Sequence, residues 1–112
     1  MSLARILADP EAVHGRSVSV GGYLRLEFEG NHFCLNKDDV DYLIITNCVW
    51  LDVPSRADLK VFSERYVAVQ GIVNARNKGH MGALQASIEK VTGIDALPER
   101  TALWEHYRTQ DQ

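Results

Sequence analysis

The sequence predicts a small, mainly β protein, and three observations carry this prediction. The chain has 112 residues, about the length of one domain. Residues 17–28 alternate apolar and polar side chains with a period of two, as in a strand with one buried face. Shorter apolar runs follow, separated by glycine, proline and asparagine, which favour turns. The fold class expected is therefore a single compact sheet domain.

Composition excludes several other classes. Hydrophobic residues make up 46% and charged residues 24%, as in ordinary globular proteins rather than disordered chains, fibres or disulfide scaffolds. The formal net charge of −3 weakens the case for a dedicated nucleic-acid binder. No stretch approaches the roughly 18–20 apolar residues that cross a bilayer, and Arg5 and Asp9 interrupt the short N-terminal apolar run. We expect a cytoplasmic protein that is not bound to membranes.

The N-terminal half begins with a short helix and a long strand. Residues 2–7 favour a helix with Ser2 as its N-cap, followed by a short turn at 11–14 that Gly15 closes. The adjacent glycines Gly21 and Gly22 predict a bend or close approach in the middle of the strand at 17–28. One face of this strand carries Val18, Val20, Gly22, Leu24, Leu26 and Phe28, and the other carries Ser17, Ser19, Gly21, Tyr23, Arg25 and Glu27.

A second strand and a short helix follow. Residues 32–36 predict a strand with Phe33 and Leu35 inward. Asn36 is a candidate N-cap, because carboxylates in the next turn favour a helix start there. That segment has Asp38 and Asp39 in its first turn and Val40, Leu43 and Ile44 on its apolar side.

Three further strands complete the predicted sheet. The third alternates with Val49, Leu51 and Val53 on one face and Cys48, Trp50 and Asp52 on the other. The strands span 48–53, 66–75 and 83–91, and Leu84, Ala86 and Ile88 face inward in the last of them. The segments around them are predicted as a helix at 56–65 with Ser55 as N-cap, a glycine-rich loop at 77–82 and a C-terminal helix at about 98–109.

This order of elements is typical of an OB fold. Three strands in a meander, a helix and a two-stranded hairpin make a five-stranded, partly open Greek-key barrel. We predict one OB-fold-like domain over 1–112, with the barrel at about 16–94 and short N-terminal, connecting and C-terminal helices. The open edge of such a barrel can pair or be covered by the C-terminal helix, so a monomer or a homodimer is expected.

Four motifs also resemble those of a known group. They are G-x-x-V-x-V-x-G-Y-L from Gly15, E-F-E-G-N from Glu27, V-W-L-D from Val49 and K-G-H-M-G from Lys78. Together they cover about 13–94 and resemble small uncharacterised bacterial OB-fold proteins. The resemblance implies the fold and carries no activity with it. Gly21 stands where the group usually has a bulkier residue.

The cysteines and histidines give no catalytic or metal-binding pattern. Cys34 and Cys48 are expected to be free thiols, buried or half-buried, because they form neither a C-x-x-C pair nor a zinc-type spacing. The alternatives are a disulfide, a metal site and a reactive thiol. A dyad of His32 and Cys34 on one side of a strand is conceivable but has no orienting group. We expect a non-enzyme without cofactor or metal. An acidic cluster in the sequence is expected to be solvated or to face a basic protein: Glu27, Glu29, Asp38, Asp39, Asp41 and Asp52.

The candidate binding residues follow from the usual OB-fold site, the face of strands two and three between two loops. Aromatic side chains there could stack a base, or they could be covered by the segments at 38–44 and 102–107. The loop at 77–82 could anchor a partner, or its glycines and histidine could serve the turn alone. The candidates are Tyr23, Arg25, Glu29, Asn31, His32, Trp50, Lys78, His80 and Met81.

The function expected from these features is that of a non-catalytic binding module for a protein or peptide. An inhibitor or immunity-type protein fits this description by analogy. The alternative is a weak single-stranded nucleic-acid-binding protein that uses the same face.

Overall fold

The structure, a computed structural model, describes residues 1–27, 30–54 and 56–98. It confirms a mainly β protein with short helices. The C-terminal helix expected at about 98–109 and the N-cap at Ser55 lie outside the described residues. The elements are α1 (Leu3–Ala8), β1 (Ser17–Glu27), β2 (Gly30–Cys34), α2 (Lys37–Asp41), β3 (Cys48–Leu51), β4 (Arg65–Asn74) and β5 (Ser87–Ala96), with 3₁₀ turns at Glu11–Val13, Ile45–Asn47, Ala57–Phe62 and His80–Gly82.

The five strands form one mixed sheet that returns on itself. Their hydrogen-bonded order is β1-β2-β3-β5-β4, and β4 also pairs with β1. Only the β3–β5 pair is parallel among the described strands. Each described strand therefore has two neighbours. The sheet edge expected to be open, and so able to pair with a second copy of the chain, is closed by these pairings. The choice between monomer and homodimer stays a prediction.

The alternation in β1 correctly identifies the core face. Val18, Val20 and Leu24 are buried inside the ring, whereas Ser17 and Ser19 are exposed. Gly22 lies where the chain has no room for a side chain, since a Cβ there would stand 2.6 Å from the carbonyl oxygen of Cys34. The core cluster comprises Leu3, Ile6, Val13, Val18, Val20, Leu24, Phe33, Val49, Leu51, Val67, Val69, Val73, Ala86 and Ile88.

The helix α1 forms as the sequence predicts. Ser2 is its N-cap, with its hydroxyl accepting from the backbone N–H of Arg5 at 3.2 Å. Leu3 and Ile6 are three positions apart and both are buried in the core. The helix therefore closes one side of the core.

Several predicted elements differ from the observed ones. The second strand, predicted at 32–36, spans Gly30–Cys34, and the third, predicted at 48–53, ends at Leu51. The last strand begins at Ser87 rather than at residue 83 and continues to Ala96. A register shift between Gln70 and Ile72, with Lys90 at a positive φ of 49°, lets β5 bend and continue along β4. The predicted helix at 56–65 is a 3₁₀ turn over Ala57–Phe62.

The helix α2 begins as predicted and ends earlier. The Asn36 backbone N–H donates to the Asp39 carboxylate at 2.9 Å in a capping box. The helix stops at Asp41, and Leu43 has a positive φ of 54° that turns the chain out of the helical path. Leu43 and Ile44 are exposed instead of forming the predicted apolar side.

Candidate functional site

The outer face of β1, β2 and β3 is covered by the chain itself. A second apolar cluster joins Tyr23 of β1 and the two cysteines to Val40 of α2 and Leu84, with Trp50 packed against it. Tyr23 is only 3% exposed. Leu84, predicted inward, belongs to this outer cluster. The face expected to bind a ligand is thus occupied by α2 and by the segment that precedes β5.

The two cysteines are bonded to each other, so the expectation of free thiols is wrong. Cys34 and Cys48 are direct partners in the β2–β3 register, with Cα atoms 4.1 Å apart, and they form a disulfide. The pairing also removes the thiol from the conceivable dyad with His32. Disulfides are rare in reducing cytosol, which weighs against the predicted cytoplasmic location; that location stays a prediction.

Arg25 lies at the centre of a charged network beside this cluster. Its guanidinium donates to both oxygens of Glu64 and, at 2.8 Å, to Asp41. Tyr23 donates its hydroxyl to Glu64 at 2.7 Å, and Lys37 donates to Asp41 at 2.7 Å. The network ties β1 to α2 and to the turn before β4. Arg25, a predicted binding residue, is therefore engaged within the chain.

Two pKa shifts describe this network. Burial, reinforced by the hydrogen bond to Glu64, raises the pKa of Tyr23 to about 12. The Arg25 guanidinium holds the pKa of Glu64 below its usual range. Tyr23 is therefore a neutral donor and Glu64 an ionised acceptor at neutral pH.

The segment between the two cysteines exposes four consecutive large apolar side chains. We name Tyr42, Leu43, Ile44 and Ile45 the apolar loop. They are 76%, 69%, 42% and 38% exposed, respectively. Single exposed apolar residues are ordinary, whereas a contiguous set marks an interaction surface.

The base of the apolar loop is held by several bonds. The disulfide closes it, and Leu35 N–H donates to the Asn47 carbonyl at 3.1 Å. Asp39, predicted to be solvated, is buried instead: its carboxylate accepts from the side chain of Asn47 at 2.9 Å, and its backbone carbonyl accepts from Ile44 N–H at 2.8 Å. These bonds therefore hold the two ends of the apolar loop in a defined position.

The loop at 77–82 lies against Trp50. A Cβ on Gly79 would stand 2.6 Å from the Trp50 ring, and Gly79 has a φ of 77°. Lys78 and Met81 are exposed, Met81 at a positive φ of 59°. Of the predicted anchors in this loop, Lys78 and Met81 face solvent, while the side chain of His80 lies outside the described part of the structure.

The first hairpin supplies structural contacts. Asn31 donates its side-chain amide to the carbonyls of Leu51 and Val53 at 3.1 and 3.3 Å. His32 is half-buried opposite Trp50 in the register. Glu29 lies outside the described residues. Asn31 and His32 therefore lie where β2 pairs with β3, outside the apolar loop.

Two cavities open on the described part of the surface. One of about 640 Å³ is lined by Tyr23, Lys37, Glu64, Arg65, Tyr66, Leu97 and Pro98. The other, of about 280 Å³, is lined by Val53, Pro54, Arg56, Leu59, Phe62, Val91, Thr92, Gly93 and Ile94.

Comparisons with known proteins identify no family and no function for the chain. No protein-family model matches the chain, and no curated protein matches its sequence. The resemblance to small bacterial OB-fold proteins stays a prediction. Within residues 1–27, 30–54 and 56–98, no helix is long and apolar enough to cross a membrane, and no three His, Cys, Asp or Glu side chains gather as metal ligands.

Sequence reasoning missed the apolar loop and the role of Glu64, and it favoured free thiols over the disulfide. Of the run Tyr-Leu-Ile-Ile, the sequence predicts Leu43 and Ile44 on the apolar side of a helix and gives no separate signal for Tyr42 and Ile45. The cysteine pairing depends on the β2–β3 register, which a spacing of 14 residues does not specify. Glu64 meets Tyr23 only through the return of β4 to β1, and no local signal marks that contact.

Proposed function

We propose that the ring of strands is an OB-type barrel. The support is the strand order, in which a three-stranded meander is closed by β4 pairing with β1 and by β5 running parallel to β3. The glycine pair in the middle of a long first strand agrees with the bend that such a barrel needs.

We propose further that the protein is a non-catalytic binding module that contacts a protein partner through the apolar loop. The observation that carries this proposal is the exposure of four consecutive large apolar residues in a loop closed at its base. Binding surfaces have an apolar centre, in which aromatic side chains such as Tyr42 contribute strongly.

The bonds at the base of the loop favour tight association. A binding segment that is already ordered loses less conformational entropy on association than a flexible one. The disulfide and the two hydrogen bonds of the Asp39 carboxylate supply that order before any partner arrives. A partner with a complementary apolar surface would therefore bind with little rearrangement of the loop.

The nearby charges support a protein partner over nucleic acid. Arg25 and Lys37, the cations nearest in the contact network, already donate to Glu64 and Asp41. Of the two aromatic side chains that could stack a base, Tyr23 is buried and Trp50 is half-buried. The nucleic-acid alternative therefore gains no support from these groups, and the inhibitor or immunity-type role stays an analogy.

The test compares two serine substitutions at exposed apolar positions. Leu43→Ser changes the apolar loop, and Val61→Ser, at a residue 56% exposed in the 3₁₀ turn Ala57–Phe62, is the matched control. Affinity capture from an extract of the source cells, with quantitative mass spectrometry, should recover a partner with the wild type and the control. Leu43→Ser should reduce its recovery at least tenfold.

Two results would contradict the proposal. One is equal recovery of every specific partner by Leu43→Ser and the wild type. The other is tight binding of a fluorescent oligothymidine in low salt that weakens steeply as salt is added, because that behaviour is typical of a nucleic-acid binder.

A further inference from the structure

The pairing of β3 with β5 is short. Its register ends at Leu51 and Ile88, and the N–H of Asp52 donates to the Ile88 carbonyl at 2.9 Å. The next N–H, that of Val53, donates back to the Leu51 carbonyl at 3.1 Å, so the chain turns away from β5. Because β5 itself continues to Ala96, a gap opens between the end of β3 and the second half of β5.

The smaller cavity, which we name the β5 cavity, lies in this gap. It has a volume of about 280 Å³, and its walls come from the residues after β3, from the 3₁₀ turn Ala57–Phe62 and from β5. Val91 and Ile94 line it on the side of β5, and Val53 and Leu59 line it on the opposite side. An aliphatic cavity of about 150 Å³ already holds a benzene ring, so the β5 cavity has room for an aliphatic side chain.

The backbone of β5 presents hydrogen-bonding groups on the side of the gap. In an antiparallel pair, alternate residues direct their N–H and C=O to the partner strand, and the residues between them direct these groups away from it. The N–H of Leu97 donates to the Tyr66 carbonyl at 2.9 Å, so the alternation assigns Asp95 and Gly93 to bonds with β4. The N–H and C=O of Ile94 therefore point away from β4, toward the side of β5 on which β3 pairs.

The side chains around the cavity favour a neutral, apolar occupant. Arg56, the charged residue in the lining, donates to both carboxylate oxygens of Asp58 at 3.0 and 2.7 Å. Val53, Phe62 and Ile94 are half-buried and pack against the core cluster. An aliphatic side chain in the cavity would therefore cover apolar surface that is continuous with the core.

We propose that the β5 cavity binds an extended segment of a partner protein, which adds to β5 as a strand and buries one aliphatic side chain. In strand addition of this kind, main-chain bonds supply affinity and a pocket selects the side chain. Here Ile94 supplies the main-chain bonds. The lining of the cavity shares no residue with the apolar loop, so the proposal stands whether or not that loop binds a partner.

The test titrates the full-length protein with a capped peptide, Ac-Lys-Thr-Val-Ile-Val-Thr-Lys-NH2, and records backbone amide NMR shifts and hydrogen exchange. The peptide should shift the amides of Gly93 and Ile94. In the free protein the Ile94 amide should exchange faster than the Asp95 amide, which bonds to β4. At saturation the peptide should slow exchange of the Ile94 amide about tenfold or more and leave that of Asp95 unchanged.

Two control peptides separate the main-chain bonds from the buried side chain. In the first, the amide nitrogens of Val-Ile-Val are methylated, which removes the backbone donors and keeps the side chains. In the second, Val-Ile-Val is replaced by Thr-Thr-Thr, which keeps the donors and branched shape but makes the side chains polar. Each should bind about tenfold more weakly than the probe.

Two substitutions in the 3₁₀ turn Ala57–Phe62 complete the test. Leu59→Ser, in the cavity wall, should weaken binding of the probe about tenfold, and Val61→Ser, outside the lining, should leave it unchanged. The proposal is overturned by equal affinity for the probe and its methylated form, a comparison that needs only wild-type protein, or by equally slow exchange of the Ile94 and Asp95 amides before peptide is added. Also decisive against it are no shift with the probe at millimolar concentration, equal affinity of Leu59→Ser and the wild type, and shifts of the Ile94 amide with protein concentration alone, which would place a second copy in the gap.

Discussion

Replacing Gly22 by alanine should destabilise the fold by an amount that the structure allows us to estimate. The new Cβ would lie 2.6 Å from the carbonyl oxygen of Cys34, 3.0 Å from the Phe33 ring and 3.1 Å from Leu3. The carbonyl belongs to paired backbone of β2, so β1 and β2 must separate. Overpacking of this kind costs about 1–3 kcal/mol, which corresponds to a decrease in Tm of about 4–12 °C for a domain near this size.

The neighbouring glycine provides the control. At Gly21 a Cβ would meet Leu97 at 3.4 Å, an ordinary contact, and the position is exposed. Gly21→Ala should therefore be neutral, or stabilising by about 0.5 kcal/mol because alanine restricts the unfolded chain. Urea unfolding monitored by circular dichroism measures both variants. Equal stability of Gly22→Ala and the wild type would refute the close approach of β1 and β2.

Two further predictions concern the disulfide and the buried tyrosine. The Cys34→Ala/Cys48→Ala double variant should lose about 2–4 kcal/mol of stability to urea, and wild-type protein purified without reductant and then unfolded should show no titratable thiol; two thiols would contradict the pairing. The pKa of Tyr23 is raised from 10.0 to about 12, so its contribution to stability is complete below pH 10 and is lost as pH rises toward 12. Tyr23→Phe should flatten the decrease in stability at alkaline pH, whereas Tyr42→Phe, at an exposed position, should leave that decrease unchanged. Identical curves of stability against pH for the wild type and Tyr23→Phe would contradict the raised pKa of Tyr23.

The core of the fold was predictable because alternation reports directly on the buried face of a strand. The spacing of Val18, Val20 and Leu24 alone predicts that they face the core, and all three are buried. The N-caps at Ser2 and Asn36 were predictable for a similar reason, since capping depends on residues within one turn.

The candidate site was less predictable because it depends on contacts between distant segments. The period of β1 places Tyr23 on the outer face, but it does not say that Val40 and Leu84 cover that face. The early end of α2 depends on a positive φ at Leu43, a conformation that leucine rarely adopts. Leu43 and Ile44 are therefore exposed instead of forming the predicted apolar side of a helix.

Site-specific photocrosslinking tests most directly the claim that the apolar loop contacts a protein partner. A benzophenone amino acid is introduced at Leu43 in one variant and at Val61 in another, both at exposed apolar positions, and each is irradiated in an extract of the source cells. We expect a discrete protein adduct from position 43 and none from position 61. An adduct from position 61 with none from position 43 would contradict the claim.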